Sequence, residues 1–291
     1  MKHWIGLLLC CLTKLALAAP VSVHDDRGRL ITLPQPAQRI VALAPHLVEN
    51  LYAIGAGKQI VGAVSFSHYP EAAKTLPIVG SYDSFDLERI RALKPDLLVV
   101  WQTGNSPAQL ARLDALGLPI FYDNAQKLPQ VPDVLERLGL LSGHAPQAQQ
   151  QAQLFRRRIA TLQQQYQQQK PVRVFYQIWD RPLMTINKAQ IISDVMTLCG
   201  AVNVFADLPV LVPTIDEEAV VMANPDLIAT SGETSPKSDW LLRWQRWPTI
   251  KAVKKQNLVI LPPDVLSRMG PRLPEGAEKF CQAIDNARRK L

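Results

Sequence analysis

Two glutamates, Glu88 and Glu218, occupy the same place in two copies of one pattern. "FDLERIRALKPDLLVVW" covers residues 85–101 and "IDEEAVVMANPDLIATS" covers 215–231. Asp86, Glu88, Pro95 and Asp96 of the first align without a gap on Asp216, Glu218, Pro225 and Asp226 of the second. Paired carboxylates can run acid–base chemistry, but a shared catalytic centre needs them within about 10 Å. Equivalent helix starts in separate units hold two carboxylates far apart, so two readings remain. Either each glutamate complements the positive end of its helix, or each is displayed outward for a partner.

A second group of residues suits ligand contact. Phe66, Trp101 and Trp179 each follow an apolar run, and Tyr82 and Phe85 lie in the loop entering the first copy of the repeat. Aromatic groups at the carboxyl ends of buried strands offer apolar area to a large, partly flat ligand. Enzyme chemistry finds less support. The mature histidines, His24, His46, His68 and His144, lack metal-ligand spacing, and no G-x-S-x-G or P-loop occurs. "GAGK", Gly55 to Lys58, follows a helical pattern and precedes a strand. A phosphate loop needs the opposite order, so this glycine is read as a helix stop.

These residues need elements to hold them. Each copy of the repeat reads as a short helix capped by Asp86 or Asp216, ended before Pro95 or Pro225, and followed by a buried strand. Around the first copy the sequence alternates "RIVALAP", a helix near 47–55, "QIVGAVSF", a helix near 106–116 and "PIFYD". The second half restarts with "VRVFYQI", a helix around 190–200, the second copy, "LVILPP" and a last helix near 274–289. Strands buried on both faces and alternating with helices predict mostly parallel, helix-flanked sheets, hence two α/β lobes. Between them, Ala148, Ala152, Phe155, Ile159, Leu162 and Tyr166 step by four and three residues on a glutamine-rich background free of Gly and Pro. That is one helical stripe, a rod of roughly 35 Å at 1.5 Å per residue. The expected division is an export signal (1–18), a first lobe (19–143), the connecting helix (144–171) and a second lobe (172–291).

The export signal rests on Lys2, the short apolar run "WIGLLLCCL", and the small residues Ala16 and Ala18 before Ala19. An uncleaved anchor or a lipoprotein signal at Cys11 are the alternatives; Lys14 interrupts the apolar run, and Leu9 and Cys10 are not the usual small residues before a lipidated cysteine. The 291 residues carry +7, or +5 without Lys2 and Lys14, in dispersed basic clusters that read as solvated helix faces rather than a nucleic-acid surface. Cleavage leaves Cys199 and Cys281. In an oxidising compartment they are either one disulfide or two buried thiols.

The segments "RIVALAPHLVENLYAIGAGKQIVGAVSFSHYP", "LERIRALKPDLLVVW", "VRVFYQIW" and "LPPDVLSRMGPR" resemble the two-lobed periplasmic binding proteins that feed metal-chelate importers of the ATP-binding-cassette type. Within that family the likeness is to the members that carry cobalamin. The resemblance implies two α/β lobes joined by one long helix, a cleft that takes cobalamin or a related corrinoid, and a monomer without catalytic residues or resident cofactor or metal. It also implies that Glu88 and Glu218 dock on arginines of a membrane permease. It places Pro45, Phe66, Tyr82, Phe85, Trp101, Trp179, Asp264 and Arg268 at the ligand, and pairs Cys199 with Cys281. At Val212 this chain departs from the pattern, which has a pocket tryptophan there; Trp179 is the expected replacement. Haem or a ferric siderophore in the same fold is the first rival. Haem would favour an axial group such as His68 or Tyr82, whereas an anionic siderophore would favour several converging basic residues. A hydrolytic enzyme or an adhesion module is the second rival.

Overall fold

The computed structural model describes residues 19–232 and 240–291. The expected export signal, residues 1–18, lies outside the described residues. The chain opens with a hairpin that sequence patterning did not suggest, β1 (Val21–His24) and β2 (Leu30–Leu33). Then follow β3 (Ile40–Ala42), α1 (Pro45–Ala53), β4 (Ile60–Ala63), α2 (Leu87–Ala92), β5 (Leu97–Trp101), α3 (Pro107–Asp114), β6 (Ile120–Asp123) and α4 (Gln130–Ser142). After α5 (Ala145–Tyr166) come β7 (Val172–Gln177), α6 (Ile191–Leu198), β8 (Ala201–Asn203), α7 (Glu217–Ala223) and β9 (Leu227–Ser231). The chain closes with α8 (Lys251–Lys254), β10 (Leu258–Leu261), α9 (Pro263–Leu266) and α10 (Leu273–Arg288).

Each lobe is built on a four-stranded parallel sheet, in the order β4-β3-β5-β6 and β8-β7-β9-β10. The central strands are buried on both faces, as the continuous apolar runs require. On one face of the first sheet Ile40, Ala42, Leu97, Val99 and Phe121 pack with α1 and α4, and on the other Val41, Leu98, Val100 and Tyr122 pack with α2 and α3. The second sheet repeats this. Val172, Val174, Tyr176, Leu227 and Ala229 face α5, α6 and α10, while Phe175 and Ile228 meet Val220 and Trp244. The rod between the lobes is α5, 22 residues long, and its buried stripe is the one read from the sequence.

The repeat is matched down to its backbone bonds. Asp86 accepts from the amide of Arg89 at 2.9 Å, and Asp216 from that of Ala219 at 2.7 Å. Each helix ends in a left-handed residue before its proline, Lys94 at φ 47° and Asn224 at φ 44°. The Pro-Asp pair then ties helix to sheet: Asp96 accepts from the amide of Arg39 at 2.9 Å and Asp226 from that of Arg173 at 3.0 Å. Both arginine side chains turn back on the helix end, Arg39 donating to Leu93 O at 2.6 Å and Arg173 to Ala223 O at 2.9 Å. Gly55, at φ 91°, stops α1, so "GAGK" is a helix terminus.

Cys199 and Cys281 form a disulfide that joins the end of α6 to α10. The bond closes a loop of 82 residues. In the chain-entropy account such a link is worth about 4 kcal/mol. Mass spectrometry of unreduced protein should find no alkylatable thiol, and Cys199→Ala/Cys281→Ala should lower the denaturation midpoint. Two free thiols in exported protein would contradict the bond.

Candidate functional site

The carboxyl ends of the two sheets face a shared cavity of about 230 Å³. From the first lobe come Trp101, Thr103, Ala125 and Gln126, and from the second Ile178, Gln190, Ile191, Leu211, Val212, Ser267 and Met269. Among the described residues its lining contains no ionisable side chain; the polar groups are two amides, two hydroxyls and the Trp101 indole N–H.

Trp101 is the most closely supported wall residue. It ends β5, and the buried side chain of Asn105 holds that end: Oδ1 accepts from the Trp101 amide at 2.7 Å, and Nδ2 donates to Leu43 O at 2.9 Å and to Tyr82 O at 2.5 Å. The indole rests edge-on to His46, with ring centroids 5.3 Å apart, and His46 is itself buried against Asp123 at 2.7 Å. On another side, a Cβ at Gly104 would lie 1.9 Å from the indole. Gly104→Ala should therefore displace the ring and cost about 1 to 3 kcal/mol, the range for overpacking. Thermal melts and tryptophan fluorescence will read both effects; an unshifted spectrum at native stability would contradict this packing. Asn105 and Gly104 were not singled out from sequence. The dipeptide after a strand ending in tryptophan was their only signal.

The other residues expected at the ligand divide into three groups. Phe66 is 69% exposed and sits at φ 66°, a backbone state costly for a bulky side chain. Its carbonyl is held from the other lobe by Arg268 Nη2 at 3.2 Å. Arg268 also bonds Asp264 at 2.8 Å, and Asp264 lies 3.3 Å from His68. Thus Phe66, Asp264 and Arg268 meet across the cleft, with Ser267 and Met269 adjoining the cavity on either side of Arg268. Tyr82 is 45% exposed, in the loop pinned by Asn105. Pro45 starts α1, half-buried.

Phe85 is a correction. It is 7% exposed and packs with Leu43, Val64, Val79 and Ile90, so this aromatic belongs to the first lobe's core. Trp179 is not among the residues lining the cavity; its neighbour Ile178 is, while its own ring is 54% exposed and packs edge-on against Trp240. Sequence reasoning also missed Glu49. Its carboxylate is buried, bonded to Arg268 at 2.6 Å and to Arg272 through two bonds of 2.8 Å.

Glu88 and Glu218 are both exposed, in the first turns of α2 and α7. In parallel α/β units these turns lie at the carboxyl ends of the strands, the side on which the cleft opens. The neighbour Glu217 has a different role. It takes bonds from Arg243 at 2.5 Å, from Trp247 at 2.9 Å and from Arg246, whose guanidinium does most to hold the Glu217 carboxyl down at about 2. Of two adjacent glutamates, one secures α7 and the other faces water.

Two parallel-sheet lobes on one helix, with a cavity between them whose described lining is uncharged, define a bilobal binding protein. Residues 40–265 match the family model described as periplasmic binding protein, and the chain belongs to that family. It is 34% identical over 261 residues to the vitamin B12-binding protein of Vibrio cholerae, covering 90% of this chain and 94% of that protein. It is 37% identical over 256 residues to the vitamin B12-binding protein of Yersinia pestis, covering 88% and 89%. The crystal structure of the periplasmic vitamin B12-binding protein of Vibrio cholerae aligns with a TM-score of 0.80 over 87% of this chain and 98% of that one. A periplasmic heme-binding protein from Roseiflexus, 22% identical with a TM-score of 0.77 over 87% of this chain and 99% of that one, shares the fold. Among the described residues no helix is long and apolar enough to cross a membrane, and no group of three His, Cys, Asp or Glu could hold a metal ion.

Proposed function

We propose that this chain is a periplasmic protein that captures cobalamin, or a related corrinoid, between its lobes and delivers it to the permease of an ATP-binding-cassette importer. In this reading residues 1–18 are removed on export, and the monomer consists of lobes 19–143 and 172–291 joined by the helix segment 144–171. The chain binds and releases its ligand without chemistry, and cobalamin is cargo rather than a cofactor.

The observation that carries this reading is the cavity lining. A corrinoid presents a broad apolar ring system fringed by neutral amides. A wall of Trp101, Ile178, Ile191 and Met269 with Gln126 and Gln190 offers apolar contact and neutral hydrogen bonds. Haem and siderophores carry carboxylates or other anionic groups and would call for unpaired cations. Among the described residues the candidate beside the cavity, Arg268, is already bonded to Glu49 and Asp264. The ligand contacts proposed are Trp101, Phe66, Tyr82, Asp264 and Arg268, with Pro45 and Trp179 at the margins.

At about 230 Å³ the cavity is below the usual 300–1,000 Å³ of small-molecule sites. Admission of a corrinoid therefore requires the rim to part. The exposed His68–Asp264 pair and the Arg268 bond to the Phe66 carbonyl are the rim contacts that would give way. The test is to expose purified protein to cobalamin, haem and a ferric siderophore in separate runs, followed by gel filtration. A corrin absorption spectrum should co-elute with the protein. Co-elution of haem or siderophore alone would replace this reading.

A further inference from the structure

A buried ion cluster crosses the floor of the cleft. Glu49, on α1 of the first lobe, is 2% exposed, and its carboxylate oxygens accept from Arg268 Nη1 at 2.6 Å and from Arg272 Nε and Nη2 at 2.8 Å. Arg272 lies over the Tyr69 ring at 3.8 Å. Beside the cluster, Asn50 Nδ2 reaches Met269 O at 3.5 Å, and Asn50 Oδ1 sits where any side chain at Gly270 would collide with it, at 2.9 Å. Two opposing charges out of water stabilise a fold little more than apolar packing would, but a single one left without its partner is expensive. A buried carboxylate facing two arginines across a lobe boundary therefore fixes geometry rather than adding much stability.

The geometry it fixes is that of Arg268. This guanidinium is held on the buried side by Glu49 and on the exposed side by Asp264, with Ser267 and Met269 lining the cavity beside it. Parting of the rim breaks the Phe66 and His68 contacts but leaves the floor closed, because Glu49 is enclosed and Phe66 and His68 are open to water. We propose that Glu49 is a positioning residue: from the opposite lobe it anchors Arg268, and through it Asp264, so that both keep their place on the cleft wall while the rim opens for the ligand. This rests on the cobalamin reading above. Glu49 itself does not touch the ligand.

The test is a double-mutant cycle in cobalamin affinity with Glu49→Gln, Arg268→Gln and the pair, with Arg272→Gln alongside. Glu49→Gln and Arg268→Gln should each weaken binding about tenfold, and the pair should be no more than about twofold worse than Arg268→Gln alone, because one pathway has been cut twice. Arg272→Gln disrupts the same cluster but leaves the Glu49–Arg268 bond, so affinity should stay within about threefold of the parent. Losses that multiply, or equal losses from Glu49→Gln and Arg272→Gln, would reduce Glu49 to a general packing role and overturn the proposal. Glu49→Asp, which withdraws the carboxylate by one methylene, serves if Glu49→Gln does not fold. A ligand-free readout separates this idea from the cobalamin reading. The Arg268 guanidinium resonance, identified by its loss in Arg268→Gln, should be protected from water exchange in the parent and in Arg272→Gln and unprotected in Glu49→Gln. Retained protection in Glu49→Gln would overturn the proposal even if cobalamin bound normally, and loss of protection would uphold it even if cobalamin did not bind at all.

Discussion

Reversing both exposed glutamates, Glu88→Arg with Glu218→Arg, should abolish cobalamin uptake while the isolated protein binds cobalamin as before. Either single reversal should cripple uptake. The helices survive these changes because their caps are Asp86 and Asp216, which remain in place. Losing a first-turn carboxylate costs each helix only about 0.3 to 1 kcal/mol, and in the second lobe Glu217 still secures α7 to Arg243 and Arg246. The ligand cavity lies elsewhere, so affinity is untouched. If, as we propose, the two glutamates dock on permease arginines, the reversal turns attraction into like-charge repulsion worth several kcal/mol. Vesicle uptake and transporter pull-down with each variant, alongside thermal melts, measure this. A compensating Arg→Glu change in the permease should restore transport. Normal uptake by a well-folded double variant would return both glutamates to helix-end electrostatics.

The second large effect is expected at Trp101. Replacing it by Ala should weaken cobalamin binding by about 1 to 3 kcal/mol, the scale for losing a large buried apolar contact. The indole is half-buried at the end of β5, and Asn105 bonds its backbone rather than its ring, so the strand end stays in register without it. Titration calorimetry on Trp101→Ala reads the loss directly, and unchanged affinity would remove this residue from the ligand wall.

Much of this architecture was legible in the sequence because it follows from local rules. The aspartate caps, the prolines that end α2 and α7, the stop at Gly55 and the stripe of α5 are each set by residues within a few positions of one another. The gapless repeat foretold two equivalent lobes. What could not be read depends on partners far along the chain. Glu49 stands in the middle of a run of six buried residues, His46 to Leu51, and its partner Arg268 is 219 positions away. Phe85 was expected at the ligand from its place in the entry loop, yet the strand-like pairing of Gly80 with Phe85 turns its ring into the core. The β1–β2 hairpin is too short to show a clear alternation, and Arg39 and Arg173 reveal their matching bonds to helix ends only once the sheets are formed. Among the described residues the indole that lines the cavity with Val212 is that of Trp101; neither Trp179 nor Trp240, which pack on each other, is in its lining.

The central claim, that this cleft is built for a corrinoid, is met most directly by calorimetric titration of the mature protein with cyanocobalamin and, separately, with haem. Saturation at one cobalamin per chain, with no comparable heat from haem, is the predicted result. Saturable haem binding with no heat from any corrinoid would contradict it.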